Sequence, residues 1–172
     1  FNGANTNNKE LNLGGVTASA YNANLLSCVN QGSIQSNVSG THAGITNMGG
    51  IVARIYDGIG TIKGCVNGLA GDSSKGALTN NSLSSQVLRM GGCVGSIVKN
   101  KIDVTGSATE FAFKNYGTIT NAGAVSAWTA VGGVVGYIGS LGTNANTVSY
   151  CENHGTVINT QVKSWTTVGG VV

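Results

Sequence analysis

The chain has 172 residues, 28 of them glycine and none proline; charged side chains make up only 9% of it, and its formal net charge is +3. That length suffices for one sizeable core, and the charge lies far below the roughly 25% of ordinary soluble domains. Scarce Glu, Lys, Gln and Arg argue against helices with charged faces, scattered basic residues argue against a nucleic-acid partner, and no apolar run is long enough for direct membrane insertion by a helix.

Residues 1–10 are polar and Asn-rich and read as a partial cover over the first coil. The first recurring element is Leu13-Gly14-Gly15-Val16. It returns as Met48-Gly49-Gly50-Ile51, Met90-Gly91-Gly92-Cys93, Val131-Gly132-Gly133-Val134 and Val168-Gly169-Gly170-Val171, so units of about 40 residues open near 14, 49, 91, 132 and 169. Ala20, Ile55, Ile97 and Ile138 recur at a constant offset after the glycine pair, each preceded where the pattern is clearest by Arg54, Ser96 or Tyr137, which are expected to face solvent. This is strand patterning with small residues at its start.

A second motif, Cys-x-Asn-x-Gly-x-(Ile/Val), lies in the middle of each unit. It reads Cys28-Val29-Asn30-Gln31-Gly32-Ser33-Ile34 and Cys151-Glu152-Asn153-His154-Gly155-Thr156-Val157, while Phe113-Lys114-Asn115-Tyr116-Gly117-Thr118-Ile119 keeps the form with Phe in the cysteine slot. Cys65-Val66-Asn67-Gly68 begins the same way and brings its glycine forward. Asn followed closely by Gly marks a turn.

The pattern has no 3.6-residue period, which excludes helical arrays, and no Trp-Asp-like signature of a propeller blade. The expected fold is all-β with essentially no helix: a parallel β-solenoid (β-helix) of about 40-residue repeats, equivalent residues stacking at about 4.8 Å, each unit wrapping about two coils. Residues 1–172 read as a single repeat domain, and the stretch 71–85 is expected to bulge from a turn. The chain reaches residue 172 in the middle of a strand pattern, which leads us to expect either continuation in the same polypeptide or head-to-tail self-association.

The side chains offer little chemistry. Cys28, Cys65 and Cys151 share one slot with Phe113, and Cys93 takes a slot otherwise filled by Val or Ile, so all four cysteines are expected to be buried free thiols, with a disulfide between adjacent coils as the alternative. No Cys-x-x-Cys occurs and neither His42 nor His154 has a partner at zinc spacing, so no metal or cofactor is expected. Asn30, Asn67, Asn115 and Asn153 read as an internal ladder, because unpaired buried amides are costly. The carboxylates Glu10, Asp57, Asp72, Asp103, Glu110 and Glu152 are not paired by the repeat, as a glycosidase would need; no catalytic residue is expected. Lys99, Lys101 and Lys114 read as solvated. Trp128 and Trp165 lie one repeat apart in a slot held elsewhere by Ile45 and Val87. Buried, they fill an apolar slot; exposed, they form an aromatic ligand platform for sugar rings.

The alternation of Cys-x-Asn-x-Gly-x-Val with Val131-Gly132-Gly133-Val134-Val135-Gly136 resembles the GLUG-type repeats of secreted and cell-surface proteins of Bacteroidota. The likeness runs from Leu13 onward, with Ala53 replacing a closing glycine. It implies an extracellular or cell-surface location and a stalk, adhesin or filament subunit. The expected function is therefore structural or adhesive. The alternatives are a glycan-binding adhesin module, with surface glycans or host proteins as partners, and a polysaccharide-degrading enzyme built on a β-helix.

Overall fold

The computed structural model describes residues 2–3, 10–39, 42–56, 61–83, 85–98, 103–107, 109–139, 146–161 and 165–171. Among these there is no helix, and every named strand pairs in parallel with a strand from a neighbouring unit. Four principal sheets result. Sheet A collects the strands that run into each glycine pair: Leu11–Gly14, His42–Gly49, Ser85–Gly91, Val125–Gly132 and Trp165–Gly169. Sheet B holds the strands that leave it: Thr17–Ala20, Val52–Tyr56, Val94–Val98 and Val135–Gly139. Sheet C is the cysteine–asparagine motif, Val29–Asn30, Cys65–Asn67, Phe113–Asn115 and Cys151–Asn153. Sheet D comes after the Asn-Gly turn, with Asn2–Gly3, Ile34–Val38, Leu78–Asn80, Ile119–Asn121 and Val157–Asn159.

Register obeys the motif. Met48, Met90 and Val131 are Cα partners in sheet A, and Cys65, Phe113 and Cys151 in sheet C. Sheet A strands never pair with sheet C strands, so one whole unit separates hydrogen-bonded neighbours. This corrects the two-coil expectation: a unit carries four principal strands and contributes one to each sheet. The stretch 71–85 is also corrected. Only a short turn through Gly71 and Gly76 is extra, both with positive φ, and Leu78–Asn80 is a regular strand paired with Ile34–Ser36 and Ile119–Asn121.

Two apolar clusters fill the interior. Sheets B and C enclose Ile55, Cys65, Cys93, Ile97 and Phe113. Sheets A and D enclose Met48, Leu78, Leu88, Met90, Ile119 and Val131. Phe113 has no exposed surface, and burying such a side chain contributes about 2–3 kcal/mol. Sheets A and B cross where backbone touches backbone. A Cβ on Gly136 would strike the main chain of Met90, and one on Gly95 the main chain of Met48 and Ala53. Gly95 and Gly136, which follow Cys93-Val94 and Val134-Val135, are therefore a steric requirement of that crossing.

Candidate functional site

The second glycine of each pair explains how the two sequence motifs meet. A Cβ on Gly50, Gly92 or Gly133 would collide with the side-chain amide of Asn67, Asn115 or Asn153 and with the carbonyl of the next unit's glycine. Each of these asparagine amides thus packs directly against a glycine. Asn30 Nδ2 donates to Asn67 Oδ1, Asn67 Nδ2 to Asn115 Oδ1, and Asn115 Nδ2 to Asn153 Oδ1, each at 2.8 Å. The other amide proton reaches Gly32, Gly117 or Gly155 carbonyl oxygen, and that of Asn67 reaches Gly76, which closes the extra turn. Asn30, Asn67 and Asn115 have both amide protons paired, and the half-buried Asn153 has one paired, to Gly155.

A second ladder escapes the motif search. Asn80 Nδ2 donates to Asn121 Oδ1 at 2.8 Å, and Asn121 Nδ2 to Asn159 Oδ1 at 2.7 Å. Its signal is the recurring apolar-x-Asn of Leu78-Thr79-Asn80, Ile119-Thr120-Asn121 and Val157-Ile158-Asn159.

None of the four cysteines is in a disulfide. Cys65 and Cys93 are buried, whereas Cys28 and Cys151 are half-buried, which corrects the expectation that all four are buried. The difference reflects position: Cys28 and Cys151 sit at the outermost strands of sheet C. Burial pushes the Cys65 thiol up to about 11 and the Cys93 thiol well above its ordinary value, and it raises Cys151 too. These thiols are poor nucleophiles at neutral pH.

The described carboxylates are each engaged. Glu10 pairs with Arg54 and accepts from Asn47, Glu110 lies 3.2 Å from Lys63, and Asp72 accepts from Ser74 within its turn. Glu152 meets Lys114 at 3.2 Å and His154 at 3.0 Å, and hydrogen bonds from His154 and Lys114 lower its pKa. Lys114 is therefore paired rather than simply solvated. Asp57, Lys99 and Lys101 lie outside the described residues, as do the side chains of Asp103 and His42. Among the described residues no group of three His, Cys, Asp or Glu converges as metal ligands do.

Among the described residues, concavities lie beside the outward faces of sheets A and B. In sheet A the register aligns Ile45, Val87, Trp128 and Trp165, and beside them Asn12, Asn47, Arg89, Ala130 and Thr167. Sheet B aligns Ser19, Arg54, Ser96 and Tyr137 opposite. These positions do not all face solvent as expected, because the two sheets diverge from the glycine crossing and enclose them. Ser96 is wholly buried.

The two tryptophans are adjacent along the cleft, and Trp165 is 75% exposed. With Tyr137, Thr129, Thr166 and Thr167 they line a cavity of about 490 Å³. Tyr137 also borders a second cavity of about 210 Å³, lined by Glu10, Arg54, Tyr56 and Arg89 among others. Trp128 and Tyr137 tilt at 50° with ring centres 5.3 Å apart. The Arg89 guanidinium lies 4.2 Å from the Tyr137 centroid and 5.3 Å from that of Trp128, and Arg54 lies 4.4 Å from that of Tyr56. Such cation–π contacts are worth about 0.5–2 kcal/mol, more when desolvated. Burial holds Arg89 below the usual guanidinium range, yet it stays a cation at any physiological pH. The buried Nε atoms of Arg54 and Arg89 and the Ser96 hydroxyl have no hydrogen-bond partner.

No family model, curated protein or solved structure matches this chain.

Proposed function

We propose that the chain is a parallel β-solenoid with one unit per turn, and that it serves as an extracellular structural and adhesive element at a bacterial surface, as its resemblance to GLUG-type repeats implies. The observation that carries this reading is the in-register stacking of each motif on its own copy, in sheets that grow by one strand per unit. Such an architecture adds length without adding a new core, which suits a stalk or filament. The test is electron microscopy with sedimentation of the purified chain. Rods or fibres, with a fibre reflection near ~4.8 Å, support the reading; a compact monomer at high concentration that gives no such reflection overturns it. No catalytic activity is proposed.

A second reading, a glycan-binding adhesin, is favoured by one observation: Trp128, Trp165 and Tyr137 share a cleft outside both apolar clusters. Sugar rings present C–H faces that stack on such aromatic surfaces. Retention of the chain on a glycan array supports this reading. An array that retains nothing leaves only the structural one.

A further inference from the structure

We infer that the cavity shared by Arg54 and Arg89 takes a small organic monocarboxylate. Its two oxygens sit on the Arg89 guanidinium and its short apolar body lies against the rings of Tyr56 and Tyr137. This site is independent of both readings above.

The cavity, of about 210 Å³, is lined by Arg89 from sheet A and by Arg54, Tyr56, Val98 and Tyr137 from sheet B, with Glu10 beside them. Arg54 and Arg89 lie on inner strands, since Val52–Tyr56 and Ser85–Gly91 each pair with a strand on either side.

Charge points to an anion. Glu10 is the carboxylate lining this cavity among the described residues, and Arg54 and Asn47 hold its two oxygens. One positive charge is left over, that of Arg89. Glu10 favours it through space but is not paired with it. Burial is the main influence on Arg89 and disfavours its charge, because a cation drawn out of water without an acceptor is costly. Its Nε, like that of Arg54, is buried without a hydrogen-bond partner, and native structures leave few such donors unexplained. A carboxylate supplies acceptor oxygens and the missing negative charge together. The guanidinium is held 4.2 Å from the Tyr137 centroid and 5.3 Å from that of Trp128, which lowers the ordering cost of receiving a ligand. Its planar fork matches two coplanar oxygens.

Size and lining narrow the class. A volume of 210 Å³ equals about seven waters at their liquid volume, so the ligand has few non-hydrogen atoms. The walls of Ile45, Tyr56, Val98 and Tyr137 favour a hydrocarbon body over a phosphate or sulfate dianion.

Both arginines of the chain line this cavity, so every arginine Nε–H signal in proton–nitrogen NMR spectra reports on it. The chain is titrated with butyrate and benzoate, with their neutral amides, and with phosphate and sulfate, and calorimetry measures affinity. We expect at least one carboxylate to bind about tenfold or more tightly than its amide, with the gap closing as salt is raised. The same carboxylate should shift the Arg89 Nε–H signal. Arg89→Gln should remove the difference between acid and amide, and Arg89→Lys should weaken the acid because an ammonium lacks the fork. Equal affinity for acid and amide overturns the inference. So does preference for phosphate or sulfate, binding that moves neither Nε–H signal, or no binding at all. The acid–amide comparison and the NMR signals are read on the unaltered chain, and they decide the matter even if the variants fail to fold.

Discussion

The asparagine row and the aromatic cleft are built by the same repeat, from strands that stack in the same register, yet they obey opposite rules. In the row, each side chain's partner is its own copy one unit away, so Asn30, Asn67, Asn115 and Asn153 are identical and joined amide to amide. In the cleft, one register position holds Ser19, Arg54, Ser96 and Tyr137, and another holds Ile45, Val87, Trp128 and Trp165. The buried polar atoms left without a partner, Asn47 Oδ1, Arg54 Nε, Arg89 Nε, Ser96 Oγ and Thr129 Oγ1, all belong to sheets A and B. Stacking enforces identity where a residue bonds to its equivalent. It permits divergence where a residue faces another sheet, and there one unit can differ from the next without breaking the ladder.

The harshest test of the row is Gly92→Ala. The new methyl group would meet the Gly133 carbonyl and the Asn115 amide, and we expect a loss of at least ~4 kcal/mol or failure to fold. Gly170→Ala, where a Cβ meets open space, should change denaturant midpoints little. If both cost the same, steric contact with the row is not what selects the second glycine.

Next in size is Asn115→Leu, which leaves one Asn67 Nδ2 proton and the Gly117 N–H without an acceptor at once. An expected cost of about 3 kcal/mol in urea unfolding reflects two buried unsatisfied groups. In the cleft the sign reverses. Ser96→Ala removes a buried hydroxyl that has no partner, so stability should hold or rise by up to ~1 kcal/mol. A clear loss there would mean that the hydroxyl is satisfied in solution.

Thiol chemistry sharpens the contrast between inner and outer strands. Cys28 and Cys151 should label slowly under native conditions, and Cys65 and Cys93 only after denaturation. Because burial raises the Cys65 pKa, the folded state keeps that proton longer than the unfolded chain. Its contribution to stability is full below the unfolded thiol's value near ~8.5 and is lost as pH climbs towards about 11. Alkaline unfolding monitored by circular dichroism should therefore ease in Cys65→Ser. The smallest effect belongs to Glu152, whose lowered pKa comes from His154 and Lys114 at the surface. That pairing is present above the ordinary carboxylate range and disappears as pH falls through the lowered value. Side-chain NMR shifts of Glu152 should track it, with little change in melting temperature.

Much of the frame is legible in the sequence because stacked copies must match. The apolar residues flanking the glycine pairs mark Met48, Met90 and Val131, and all three lie in one cluster. The asparagine slot is legible for the same reason. The contribution of one strand per unit to each sheet is not. Sheet D strands such as Leu78–Asn80 carry a signature of only three residues, and the extra turn before Gly76 hides its register. The cleft is legible least of all. Nothing in the spacing of Arg54, Arg89, Tyr137 and Trp128 says that sheets A and B diverge and bring their side chains together. That geometry comes from the glycine crossing.

The bonding around Asn67 also bears on how the molecule ages. Asn-Gly dipeptides deamidate readily, because the glycine nitrogen attacks the side-chain carbonyl carbon through a succinimide. The chain has two of them, Asn2-Gly3 and Asn67-Gly68. At Asn67 the amide is held by Asn30, Gly76 and Asn115, and the Gly68 nitrogen donates to Asn30 carbonyl oxygen at 2.7 Å. Neither reactant is free to turn toward the other while the row is intact. Damage at Asn67 would therefore accumulate only during unfolded intervals and would record them chemically. The aspartate or isoaspartate it leaves would put a negative charge into the amide row when the chain tries to refold.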